Sequence, residues 1–314
     1  MKKLKIIFAG TSHFSMKYLD ELIKSEHKVV AVFTQPDRPS GRGQKIIFSP
    51  VKILSIKKNI PFLQPLELNN EEIQNKILTF NPDIMVVVSY GKLIPKKILT
   101  MFPNGCINVH TSLLPRWRGA SPIQSAILFG DKETGISIIK MNEKMDAGPI
   151  INSVKCSISC KDTTETLTFK LIKIGIKALL ETLYYIKKNT IFEKEQNEKY
   201  ATFSKKISKK DALLNWNTKA YLLERSIRAF NPWPICYFIV NKTRIKVWKA
   251  KIIPNVKKGI SIGEIVSFNK CGIQINTAHQ ILNLQKIQFP GKKIINVEKI
   301  VFSKKDWFNT GKII

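Results

Sequence analysis

At 314 residues, with 44% hydrophobic and 24% charged side chains, the chain has the make-up of a globular protein able to bury two cores, which excludes a disordered or fibrous class. Its charge is unusual: 52 basic against 23 acidic residues leave a net +29 and a pI near 9.9. That points to a polyanionic partner, nucleic acid ahead of anionic membrane, with a general abundance of Lys, Ile and Asn as the competing explanation.

The opening "MKKLKIIFAG" sets basic residues before apolar ones, as a signal peptide does. Its apolar run, Leu4 to Ala9 interrupted by Lys5, falls short of the roughly 7–15 residues such a segment needs. Nothing approaches a membrane span, and the chain reads as cytoplasmic. "LKIIFAGTSHF" predicts a buried strand, a turn at Gly10 and a helix over about 15–24. Further strands are expected at 28–34, 84–89, 106–110 and 135–141, with helices over 51–58, 71–80, 95–101 and 121–129 between them. Strands alternating with helices imply an α/β domain on a parallel sheet. A long amphipathic segment, 163–187, closes it.

Residues 189–208, "NTIFEKEQNEKYATFSKKIS", are polar with little periodicity and read as a linker between domains at 1–188 and 209–314. A helix over about 218–230 stops at "NPWP". Short strand-like runs follow, punctuated by Gly259, Gly263 and Gly272, as in a small OB-like β-barrel. The five cysteines, at 106, 156, 160, 236 and 271, form no Cys-x-x-Cys pair and no zinc-like group with His. A reducing compartment is expected, and a metal is not.

One stretch, "INVHTSLLPRWRGASP" (107–122), carries the chemistry. Alternation along a strand puts Asn108 and His110 on one face, and the carboxyl ends of parallel strands are where ligands bind. A carboxamide can donate to an oxyanion, and an imidazole can act as acid, base or cation near neutral pH. Alone, the pair is also the ordinary polar end of a strand. Asp146, in "NEKMDAGPI", is expected at another strand's carboxyl end, where it could orient His110. The three together suit acyl transfer without a protein nucleophile, since no Ser or Cys adjoins His110 in a nucleophile-elbow pattern.

The same stretch resembles the core of the folate-dependent formyltransferases. The likeness runs the length of the chain, through "FAGT", "TQPDRPSGRG", "VVSYGKLIP", "SLLPRWRGASPIQ", "RSIRAFNPWP" and "FPGKK…DWF". "TQPDRPSGRG", "PRWRGASPIQ" and "RAFNPWP" point to the branch of that family acting on charged tRNA. The resemblance implies a Rossmann-like parallel-sheet N-terminal domain and transfer of formyl from 10-formyltetrahydrofolate to the α-amine of methionine on initiator tRNA, by a monomer. It implies Asn108, His110 and Asp146 as the catalytic trio and Ser112, Leu113, Leu114 and Pro115 as the folate-holding segment. Thr111 stands where the family has Gly or Ala.

The resemblance also makes the loop 34–49 an arm for the tRNA acceptor end, with Arg42 as its main contact, and Lys206 and Lys209 further tRNA contacts. By the residues alone, the loop reads equally as a mobile surface segment. Lys242, Arg244 and Lys246 are expected to alternate along one strand face, adding to a phosphate-tracking surface. The competing functions are another folate-dependent amine formyltransferase, which should lack the basic loop and barrel motifs, and a non-catalytic RNA-binding relative. A dinucleotide dehydrogenase is the weakest of the rivals, because no Gly-x-Gly-x-x-Gly follows the first strand.

Overall fold

The computed structural model describes residues 3–40, 43, 45–254 and 259–314. They form two compact units: Met1–Pro122 with Glu133–Ser157 and Thr168–Ser204, and Ile123–Lys132 with Ile158–Leu167 and Lys205–Ile314.

In chain order, the elements from the start to residue 99 are β1 (Lys5–Gly10), α1 (His13–Lys24), β2 (Lys28–Phe33), the hairpin β3 (Arg38–Ser40) and β4 (Lys45–Ile47), α2 (Pro50–Lys57), β5 (Phe62–Leu63), α3 (Glu71–Thr79), β6 (Ile84–Val88) and α4 (Lys96–Leu99). Then come β7 (Cys106–His110), β8 (Arg118–Gly119), α5 (Pro122–Phe129), β9 (Glu133–Lys140), β10 (Ile150–Ser157), α6 (Thr164–Lys187) and β11 (Phe203–Ser204). Seven strands make one sheet in the order β10-β9-β7-β6-β1-β2-β5. All five residues of β6 are buried, as are the last five of β1, which explains their unbroken β-branched and aromatic runs. Each such fully buried side chain contributes roughly 1.5–3 kcal/mol through burial. Helix α1 turns Phe14, Tyr18, Leu19 and Leu22 inward at helical spacing, and Ser12 caps its start by accepting from the Ser15 N–H at 3.2 Å.

The α/β class with a parallel core is as the sequence implied. The edge differs: β9 runs antiparallel to β7, and β10 antiparallel to β9. Hydrophobic periodicity carries no strand direction, so this was invisible in the sequence. The consequence is specific. Lys140, at the carboxyl end of β9, pairs with Ile107 near the start of β7, while His110 pairs with Ser137. The expectation that Asp146 follows a strand ending on the same side as His110 is therefore corrected.

The stretch expected as a linker is anchored on the first unit as far as Ser204. Lys194 bridges to Ile150, a short 3-10 turn covers Glu198–Tyr200, and β11 pairs in parallel with β8. Its polar residues are hydrogen-bonding partners, which an aperiodic pattern does not distinguish from solvated ones.

The second unit contains α7 (Ala220–Ala229), β12 (Tyr237–Val240), β13 (Thr243–Ile253), β14 (Ile265–Asn269), β15 (Gly272–Asn276), β16 (Ile281–Gln288) and β17 (Ile295–Asn296). The order β12-β13-β16-β15-β14, with β17 on β16, is antiparallel throughout: a half-barrel of the OB-like kind expected. Ile245 and Val247, Ile273 and Ile275, and Leu282 and Leu284 alternate into its core, joined by Leu223 and Ile227 of α7. Register breaks on either side of Lys249 curve β13. Asn241 and Lys242 have φ of 48° and 57° and form the two-residue turn of the β12–β13 hairpin. Lys242 is thus a turn residue, and only Arg244 and Lys246 alternate along the strand.

Candidate active site

Strand β7 delivers Asn108 and His110 to one side of the sheet, and Asp146 arrives from the β9–β10 loop. That loop begins at the far end of β7 and must fold back over the sheet. Gly148 permits the fold: a Cβ there would lie 1.8 Å from the Lys140 carbonyl oxygen. Asp146 itself adopts a left-handed φ of 51°, uncommon for a residue with a side chain.

The Asp146 carboxylate accepts the Gly119 N–H on Oδ2 at 2.8 Å and the Asn108 amide on Oδ1 at 3.3 Å. A carboxylate only accepts, so Asn108 turns its NH2 toward it, and the second hydrogen of that group is left for another acceptor. Asp146 Oδ2 lies 3.6 Å from His110 Nδ1, beyond hydrogen-bond range. Across the ring, His110 Nε2 donates to the Trp117 carbonyl at 2.8 Å. A carbonyl cannot donate, so Nε2 carries the hydrogen in either charge state. Nδ1, facing Asp146, is therefore the nitrogen that bears the lone pair in the neutral ring. His110 is buried and Asp146 largely so, which strengthens their electrostatic coupling relative to water.

The turn that supplies two of these contacts is itself braced. Trp117, at φ 61°, donates its N–H to Thr202 Oγ1 at 2.9 Å, and the Arg118 N–H meets the Thr202 carbonyl at 2.8 Å. The Arg118 side chain is 3% exposed, too deep for an unpaired cation. It makes a two-pronged fork onto Glu198, both prongs 2.9 Å, and holds that carboxyl below the usual carboxylate range. Arg118 Nε and Nη2 also donate to Gln196 Oε1, at 3.1 and 2.9 Å. The Gln196 NH2 in turn donates to the carbonyls of Asp146 and Gly148, each at 2.8 Å.

Ser112 to Pro115 form a fixed wall beside β7. Ser112 donates to the Arg116 carbonyl at 2.5 Å. Ser137, the register partner of His110, accepts the Leu114 N–H at 3.0 Å and donates to the Ser112 carbonyl at 2.8 Å. Leu113 lies against Gly135, where a Cβ would come within 2.5 Å of its Cδ2. Ser112 and Leu114 are buried, while Leu113 and Pro115 stay half-exposed.

Sequence reasoning missed Arg118, Ser137, Gln196, Glu198 and Thr202. The paired arginines of "RWR" offered a signal for Arg118. The others sit in stretches where serine, threonine and glutamine are unremarkable.

Arg42 lies outside the described residues. The hairpin β3–β4 on either side of it is rooted by a Lys52–Asp37 ion pair, and Gln64 donates to Asp37 at 2.9 Å. Lys206 and Lys209 are both exposed in the second unit. There Arg244 also stacks over the Tyr237 ring, 3.4 Å from its centroid. Among the described residues no group of three His, Cys, Asp or Glu could hold a metal ion, and no helix is long and apolar enough to cross a membrane.

Comparison with known proteins identifies the family. A family model described as formyl transferase matches residues 2–183, and one described as formyl transferase, C-terminal domain, matches 206–305. A methionyl-tRNA formyltransferase of Buchnera aphidicola subsp. Schizaphis graminum (strain Sg) is 81% identical over 314 residues, covering 100% of both chains. That of Buchnera aphidicola subsp. Acyrthosiphon pisum (strain Tuc7) is 64% identical, again over 100% of both.

Among solved structures, an N-formyltransferase from Helicobacter canadensis in complex with folinic acid and dTDP-3-aminofucose superposes with a TM-score of 0.65 at 20% identity, covering 90% of this chain and 99% of that one. HypX from Aquifex aeolicus in complex with tetrahydrofolic acid also gives 0.65, at 14% identity, over 97% of this chain and 48% of that one. At such identities the two structures establish a shared fold alone. The full-length sequence relatives establish more: the chain belongs to the methionyl-tRNA formyltransferase family.

Proposed function

We propose that this chain transfers the formyl group of 10-formyltetrahydrofolate to the α-amine of methionine on charged initiator tRNA, for translation initiation. The meeting of Asn108, His110 and Asp146 at one point carries this reading, in a chain identical at 81% of positions to a methionyl-tRNA formyltransferase.

The donor supplies an electrophilic carbonyl carbon; the chain supplies the environment in which an amine adds to it. Negative charge gathers on the formyl oxygen during addition. The second Asn108 N–H and a protonated His110 Nδ1 are the donors turned to meet it, held in place beforehand by Asp146 and the Trp117 carbonyl. The incoming amine must lose a proton as its bond to carbon forms, and the departing donor nitrogen must gain one as its bond breaks. The gap between Asp146 Oδ2 and His110 Nδ1 is where that proton moves, directly or through water. The Ser112–Pro115 wall, pinned by Ser137, holds the donor's ring system against the apolar faces of Leu113 and Pro115.

On the tRNA side, Arg42, Lys206 and Lys209 take phosphates, supported by the net charge of +29. The residues divide by role into a catalytic domain at 1–188, a linker at 189–208 and a tRNA-binding domain at 209–314, in a cytoplasmic monomer. Incubation with 10-formyltetrahydrofolate and charged initiator tRNA, beside a matched elongator, tests the whole. Formylmethionine on the initiator alone is expected, and its absence from both would overturn the reading.

A further inference from the structure

We propose that Gln196 is a positioning residue for formyl transfer, acting through the backbone of the loop that carries Asp146; this rests on the function proposed above. The side chain is bound at both ends. Its Oε1 accepts two N–H groups from buried Arg118, and its NH2 reaches the carbonyls of Asp146 and Gly148. One amide thus ties together the turn 117–119 and the loop 141–149. That turn supplies the Trp117 carbonyl that fixes His110 and the Gly119 N–H that fixes Asp146. A circuit results: hydrogen bonds run from His110 to Trp117, along the turn to Arg118 and through Gln196 to Asp146, whose carboxylate faces His110 again across a 3.6 Å gap.

The circuit matters because its members are not self-supporting. Asp146 holds a left-handed φ with a side chain in place, and its loop returns over the sheet from the wrong end of β7. Backbone held in such a region persists only where its surroundings determine it. The NH2 of Gln196 supplies two donors to that loop's carbonyls, and no carboxylate could do the same. Glu198, by contrast, is 70% exposed and accepts both prongs of the Arg118 fork, whose charge it neutralises.

Gln196→Glu separates positioning from simple cohesion. The carboxylate keeps the shape and gains charge on the Arg118 side, so the 189–204 segment stays attached. On the loop side it sets oxygen against two carbonyl oxygens. The expected result is a kcat lower by about tenfold, and at most on the order of 10²-fold. KM for 10-formyltetrahydrofolate and for charged initiator tRNA should stay within about twofold, as uniform binding is untouched; the two lost hydrogen bonds lower the melting temperature, so kcat is read well below it. Gln196→Ala should lower kcat as well, whatever its effect on melting.

Unchanged kcat in Gln196→Glu would overturn the proposal. So would a rise in the KM for tRNA at unchanged kcat, which would make the segment a tRNA contact. Asp146→Asn, measured alongside, keeps the two readings apart: full activity there removes the proposed site. An inactive Asp146→Asn with a fully active Gln196→Glu removes the role of Gln196 alone.

Discussion

The candidate active site and the basic surface of the half-barrel unit are opposites in construction. The first concentrates its chemistry in three side chains, each tied by hydrogen bonds to at least one other segment: Asn108 to Asp146, His110 to Trp117, Asp146 to Gly119 and, through its backbone, to Gln196. The second spreads charge over exposed residues such as Lys206, Lys209 and Arg244, each resembling many others in a chain of net +29. A site of the first kind fails at single positions and fails non-additively. A surface of the second kind loses affinity in small, salt-dependent and roughly independent steps.

That contrast can be broken at several points. The largest loss is expected from Asn108→Ala: kcat should fall by about 10²–10³ while the folate KM changes little, as when one oxyanion donor is removed. Gly148→Ala should come next. Its new methyl cannot coexist with the Lys140 carbonyl, so the Asp146 loop shifts, and kcat should drop by on the order of tenfold to 10²-fold. Both are read by steady-state formylation beside a melting curve.

Raising salt from about 50 to 200 mM should weaken initiator tRNA binding by roughly 20–40-fold if Arg42, Lys206 and Lys209 each neutralise one phosphate, as a filter-binding titration would show. Lys206→Ala alone should weaken binding a few-fold and lower the log–log salt slope by about one. A slope unchanged by that substitution would make Lys206 a bystander.

The smallest effect concerns thiols. Burial pushes the Cys106 and Cys236 thiols up to about 12, so they stay protonated and unreactive through the neutral and mildly alkaline range. Alkylation near pH 8 should label exposed Cys160 and Cys271 and leave activity intact.

Much of the fold could be read from the chain because burial on two faces writes itself as "IIFA" and "IMVVV", and burial on one face writes alternation into the second unit. Strand direction leaves no such mark, which is why β9 was expected to be parallel. Asn108 and His110 stood out because a polar pair at the end of an apolar strand is conspicuous. Asp146 was found by its place in a glycine-containing loop, although the route it takes to His110 was not. Gln196 was hidden for a physical reason: an amide bonded at both ends and a solvated amide have the same neighbours in sequence. Lys242 shows the reverse error, an apparent strand alternation extended into a hairpin turn.

The most direct test of the account is single-turnover formylation of methionyl initiator tRNA by Asp146→Asn, with enzyme in excess over both substrates. The account predicts a complex that still assembles but transfers formyl more slowly by about 10²-fold or more. Transfer at the parent rate would contradict it.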